Sequence, residues 1–138
     1  MRKLLLILFL FFILGCSNME KKAFFVDKLV NLEVIETEEE KARGLMFRDN
    51  LEKDKGLLFV YDNPEVRGFW MKNVKFSIDI IWLDNRSKVV HIERNVPPCL
   101  GDTCKVYYPS KEAYDVIEVN ANFTLDNNVK VGDFVRIL

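Results

Sequence analysis

The apolar positions change rhythm along the chain. Leu4 to Leu14 is an unbroken apolar run. From Val30, apolar and polar residues alternate: Val30-Asn31-Leu32-Glu33-Val34 has the period of two expected of a half-buried strand. Thr37-Glu38-Glu39-Glu40 then gives an N-cap with a glutamate three residues on, a capping box with acids where the helix dipole favours them. Lys41 and Arg43 suit the C-terminal end and Gly44 the stop, so this is a helix of about two turns. Strand patterns follow at Gly56–Tyr61, Val66–Met71, Phe76–Leu83, Lys88–Arg94, Tyr114–Val119 and Phe134–Ile137, with turn chemistry at Asp84-Asn85-Arg86-Ser87 and Gly132-Asp133. Phe76–Leu83 is apolar on both faces except at Ser77 and Asp79, which reads as a central strand. Pro97-Pro98 interrupts the ladder. About eight short strands, one or two short helices and no βαβ rhythm predict a mainly β domain, an antiparallel jelly-roll-like sandwich or barrel.

The N-terminal run has a different reading. Two cations, Arg2 and Lys3, precede eleven apolar residues, the pattern of a secretory signal; a bilayer core takes about 20 residues to span. Ile13-Leu14-Gly15-Cys16 resembles a bacterial lipobox, which implies cleavage before Cys16 and a diacylglycerol thioether on its sulfur; an uncleaved membrane anchor is the alternative. The expected organisation is a signal peptide over 1–15, a lipidated Cys16 with a tether over 16–27, and one β-rich domain over 28–138.

Composition sharpens this. The 138-residue chain is 49% hydrophobic and 30% charged, with net charge −1, one His and three Cys. Without residues 1–15 it is a mildly acidic domain of 123 residues with net charge −3. Such a balance offers no basic field for nucleic acid, and a charged fraction of 30% with 12% aromatics is not the composition of a disordered chain.

Ordered strings carry a resemblance. Arg43-Gly44-Leu45-Met46-Phe47-Arg48, Gly56-Leu57-Leu58-Phe59, Phe69-Trp70-Met71-Lys72-Asn73-Val74 and Ile78-Asp79-Ile80-Ile81-Trp82-Leu83 come first. Pro98-Cys99 with Cys104, Tyr107-Tyr108, Glu118-Val119-Asn120-Ala121 and Val131-Gly132-Asp133 follow. Together they resemble the domain of unknown function 192 family over about residues 28 to 138. The resemblance implies a compact, often exported β-rich fold and no particular reaction. One departure is Ala121-Asn122, where the family usually has Ala-Gly; Asn tolerates left-handed backbone better than other non-glycine residues.

Several residues are candidates for chemistry. Cys99 and Cys104, in an exported domain, are expected to form a disulfide. A zinc site would need two more ligands, for which His91 and Glu93 share a strand face, and a Cys99–His91 nucleophile pair is the other alternative. Trp70, Lys72 and Asn73 read either as core and loop packing or as a recognition platform for a neutral polar ligand such as a glycan. Asp79 interrupts an apolar strand and must face solvent, a cleft or a cation, with Arg43 and Arg48 as candidate partners in a structural bridge; Glu118 poses the same question. If Asp79 and Glu118 met in one cleft they would form the carboxylate pair of a hydrolase. There is no Gly-rich phosphate loop, nucleophile elbow or His-Glu-x-x-His motif, so neither cofactor nor metal is called for.

The expected function is a lipid-anchored, extracytoplasmic, non-catalytic module that binds a small molecule or glycan, or associates with the cell envelope. Arg43, Trp70, Lys72, Asn73, Asp79 and Glu118 are its candidate binding face. The expected partners are the membrane, through Cys16, and a glycan or cell-wall ligand, with no nucleic acid. A hydrolase using Asp79 and Glu118 or Cys99, and a protein–protein interaction module, are the alternatives.

Overall fold

The structure, a computed structural model, describes residues 19–138; the apolar run and Cys16 lie outside them. The elements in chain order are β1 (Glu20–Phe25), β2 (Lys28–Ile35), α1 (Glu38–Arg43), β3 (Lys55–Phe59), β4 (Phe69–Trp70), β5 (Ile78–Leu83), β6 (Val89–Val96), β7 (Val106–Tyr107), β8 (Asp115–Asn120), α2 (Phe123–Asp126) and β9 (Val135–Ile137). Seven strands make one sheet in the order β6-β5-β8-β3-β2-β1-β9, and β4 pairs with β7 in a small ribbon. The sheet curls until its ends touch. Val89 N–H donates to the Asp133 carbonyl and Val135 N–H to the Ser87 carbonyl, both at 2.8 Å, which ties β9 to the start of β6. The result is a mostly β half-barrel with two short helices.

Alternation divides the sheet between two cores. The inner core holds Phe25, Leu32, Leu58, Ile81, Ile117, Val119 and Phe123. The outer core holds Leu57, Phe59, Ile78, Ile80, Trp82 and Val116, covered by Leu45, Met71 and Phe69 from the outer layer. Phe69 stands edge-on to both Phe59 and Trp82, with ring centroids 5.0 and 5.9 Å away. The Trp82 indole N–H donates to the Arg67 carbonyl, 3.1 Å away.

Two expectations need correction. The sheet is not wholly antiparallel: β2 and β3 pair in parallel, joined through α1. The crossover helix is only six residues long, too short to give a βαβ rhythm in sequence. The domain also begins before residue 28. β1, read as tether because Lys21 and Lys22 break the apolar pattern, pairs with both β2 and β9 and buries Ala23 and Phe25. The α1 capping box forms as expected, with Thr37 Oγ1 accepting from Glu40 N–H and Glu40 accepting from Thr37 N–H.

Asp79 is fully buried on the inner face. Neither arginine reaches it: Arg43 pairs with Glu39 on the surface and Arg48 with Glu33. Its partners are mostly backbone. Oδ1 accepts from Asn95 N–H at 2.9 Å and Asn122 N–H at 3.2 Å. Oδ2 accepts from Thr124 N–H at 2.9 Å and from the Thr124 hydroxyl at 2.6 Å. Asn95 and Asn122 have left-handed backbones, with φ of 51° and 66°. Asn122, the N-cap of α2, makes no side-chain cap of its own, so Asp79 caps that helix from β5. Arg94 Nε donates to Thr124 Oγ1 and its Nη2 to the Val129 carbonyl, both at 3.0 Å. Asp79→Ala strands several buried donors and is expected to cost about 3 kcal/mol or more in urea unfolding. Arg43→Ala, which removes an exposed pair, should cost much less.

Candidate functional site

Glu118 lies on β8 opposite Ile80, between the sheet and the outer layer. It is buried, and its Oε2 has no hydrogen-bond partner among the described residues. Native proteins leave few buried polar atoms unpaired, so this one needs a physical account. The atom faces the turn that ends α1. There Gly44 has φ 46° and ψ −125°, a conformation open in practice only to glycine. A β-carbon on Gly44 would sit 3.3 Å from the Phe59 ring and 3.8 Å from Glu118 Oε2. The missing side chain leaves a recess of about 30 Å³ walled by Arg43, Gly44, Phe59, Phe69, Trp70 and Glu118. That is room for one water or one small polar group.

A wider groove of about 430 Å³ adjoins it, sharing Arg43 and Gly44 and reaching Glu33, Thr37 and Arg48. Arg48 meets Glu33 through two hydrogen bonds of 2.9 and 3.1 Å, a paired arrangement that holds the guanidinium in place. On the other side stands an exposed aromatic ledge. Trp70 is 46% exposed and pairs across the ribbon with Val106. A β-carbon at Gly68 would collide with Val106 and Tyr108, so this glycine lets Tyr108 lie close along the ledge. Lys72 Nζ sits 5.2 Å from the Trp70 ring centre.

Burial pushes the Glu118 carboxyl up to about 8, against a smaller lowering influence of the Arg48 guanidinium. At neutral pH Glu118 therefore carries a proton and can donate a hydrogen bond. Tyr61, under the Arg67 guanidinium at 4.0 Å, is raised to about 12, chiefly by burial.

Of the six sequence-derived candidates, Arg43, Trp70 and Glu118 line the recess, and Lys72 lies beside the Trp70 ring. Asn73 serves the turn: its φ is 57° and its carbonyl accepts from Phe47 N–H. Asp79 is not part of the site. It pairs with Val119 while Glu118 pairs with Ile80, so the carboxylates point to opposite faces and cannot act as a pair on one bond. Cys99 is in a disulfide with Cys104, their Cα atoms 5.6 Å apart, which removes the thiol nucleophile and thiolate ligand readings. His91 Nε2 instead lies 3.2 Å from Glu93 Oε1, and its ring packs on Trp82. Gly44, Phe59 and Arg48 were missed as site residues; the positive-φ stop at Gly44 was the available signal.

The raised carboxyl predicts a pH dependence. Folded Glu118 keeps its proton up to about 8, while the unfolded side chain releases it near 4.5. Between these values the folded state binds more protons. Its stability is full below that window and falls as pH rises through it, by up to about 1.4 kcal/mol per pH unit, then levels off. Glu118→Gln should abolish this slope in denaturant unfolding measured from pH 4 to 9. Gly44→Ala should destabilise by about 1 kcal/mol or more at any pH.

Solved structures share the architecture. A protein of unknown function from Novosphingobium aromaticivorans superposes with a TM-score of 0.73 at 27% identity, covering 85% of this chain and 83% of that one. A candidate transcription regulator from Sinorhizobium meliloti superposes with a TM-score of 0.74 at 21% identity, covering 85% and 92%, a likeness of fold alone. No curated protein matches the chain. The sequence profile of the DUF192 family, described as "Uncharacterized ACR", matches residues 21–137, nearly the whole described region. The chain thus belongs to the domain of unknown function 192 family.

Proposed function

We propose that this protein is a non-catalytic binding module for a small, neutral, hydroxylated ligand such as a sugar of the cell envelope, held outside the cytoplasm by a lipid on Cys16. The observation that carries the ligand reading is the buried Glu118 Oε2, without a partner among the described residues and facing a recess sized for one polar group. A ligand hydroxyl oxygen seated there accepts a hydrogen bond from the protonated Glu118 carboxyl. Phe59 and Phe69 exclude water around it, which strengthens the bond. Trp70 and Tyr108 offer ring faces for stacking, and Arg43 offers donors at the rim. A neutral hydroxylated ligand suits a protonated carboxyl, which offers a hydrogen-bond donor and no negative charge to a cation.

The lipobox-like Ile13-Leu14-Gly15-Cys16 and the two leading cations support the anchor, and the disulfide suits an oxidising compartment. Cys16→Ser should move the protein from the membrane to the soluble fraction; unchanged partitioning contradicts the anchor.

Ligand binding is checked by titrating cell-wall fragments and common sugars at pH 6.5, following Trp fluorescence with Trp70→Phe as the control for Trp82. A saturable response is expected in the native protein. Glu118→Leu should lose it, and Glu118→Gln, which still donates, should keep most of it. Binding by native protein should weaken above pH 8 while that of Glu118→Gln stays level. Silence across the panel, or undiminished binding by Glu118→Leu, contradicts the reading.

A further inference from the structure

The outer layer covers only half of the sheet. Its core lies over β3, β8 and β5. Over β9, β1 and the first residues of β2 the same face is open to solvent, whereas Glu33 and Ile35 farther along β2 belong to the groove and the outer core. Register places Arg136, Phe24 and Leu29 in one row across these three strands. Leu138 and Lys22, whose backbones exchange hydrogen bonds, begin the next row with Asn31. Phe134 is 61% exposed and Leu138 65%. The Arg136 guanidinium lies 4.5 Å over the Phe24 ring, and Lys88 Nζ lies 5.7 Å from the Phe134 ring centre. The following row on this face pairs Glu20 with Glu33, whose carboxylate meets Arg48, so the apolar and cationic patch is the part that holds Phe24, Leu29, Lys22, Phe134 and Arg136. The surface therefore combines apolar side chains with cations lying beside them, the composition of elements that sit in the headgroup region of a bilayer.

The sequence says how near a bilayer would be. Only Ser17, Asn18 and Met19 separate Cys16 from β1. At about 3.3–3.6 Å per extended residue, a lipid on Cys16 keeps Glu20 within about 14 Å of its attachment point. That leaves no long tether, and the strand nearest the anchor carries the open face.

We propose that the patch of Phe24, Leu29, Phe134 and Leu138 on the outer face of β9, β1 and the start of β2 docks on an anionic lipid surface. Phe24, Phe134 and Leu138 enter the headgroup region, and Lys22 and Arg136 meet lipid phosphates. The docking rests on the proposed lipid anchor. It turns the outer layer, with Glu118 and Trp70, away from the membrane.

The test uses the full lipidated protein on vesicles of phosphatidylglycerol and phosphatidylcholine, spin-labelled through Phe134→Cys or, as a control, Lys111→Cys between β7 and β8. Flotation reports the anchor. Power saturation reports whether each label meets aqueous nickel or lipid-dissolved oxygen. Docking predicts that nickel access at position 134 falls several-fold on vesicles while position 111 stays aqueous. Lys22→Glu with Arg136→Glu should restore access at 134 without changing flotation. Flotation with position 134 fully aqueous overturns the docking and leaves the anchor standing. Failure to float overturns the anchor and the docking with it. Shielding that persists in neutral detergent, with dipolar broadening between labels, assigns the face to a second copy of this chain and also overturns bilayer docking.

Discussion

Alternation along β5 and β8 sends two carboxyl groups into opposite sides of one sheet, and the fold treats them in opposite ways. Burying a carboxylate is costly unless donors replace its water. Asp79 meets that condition with two backbone N–H groups on Oδ1 and the Thr124 N–H and hydroxyl on Oδ2. Those donors come from β6, from the turn after β8 and from the start of α2. One side chain thus fixes the bulged end of β6, permits the left-handed backbone at Asn122 and caps α2. Arg94 extends the network to Val129. Without Asp79 these donors would be left buried and unpaired, which weakens the closure of the half-barrel on its inner core.

Glu118 is held differently. Its face of the sheet is roofed by the turn after α1 and by β4, and none of the roof's polar groups reaches Oε2. The group stays buried by staying neutral, and burial raises its carboxyl to about 8. A neutral acid walled by aromatic rings is a fixed donor looking for an acceptor. Gly44 makes room for that acceptor, because only glycine adopts the backbone there and no β-carbon fills the recess. The proposed binding therefore falls on the outer face, where the sheet leaves a polar atom unpaired among the described residues, and structural chemistry on the inner face, where Asp79 has its oxygens paired.

The sequence made some of this legible through local rules and hid what depends on distant backbone. The Thr37–Glu40 capping box, the stop at Gly44 and the alternation of β2 are local patterns, and each forms as its spacing predicts. The left-handed turn at Asn122 was legible from the family resemblance, in which Ala-Gly usually stands there. Asp79 stood out as a charge in an apolar strand, yet its partners are backbone N–H groups of residues 95, 122 and 124, which residue types do not reveal. An arginine was the wrong partner to expect for that reason. The parallel β2–β3 pair was hidden by a helix of six residues, and β1 by its two lysines, one of which lies on the open outer face. At the site, Trp70, Arg43 and Glu118 were picked out by type. That Glu118 and Asp79 diverge follows from the β5–β8 register, which no single strand encodes.

The proposed site turns on the protonation of one side chain. The most direct measurement follows the Glu118 carboxyl carbon by carbon-13 NMR across pH in the native protein, assigned against Glu118→Gln. The structure predicts a midpoint near 8, far above that of a solvated glutamate. A midpoint near the ordinary 4.5 would mean that Glu118 is charged and solvated at neutral pH, and would contradict the donor at the centre of the site.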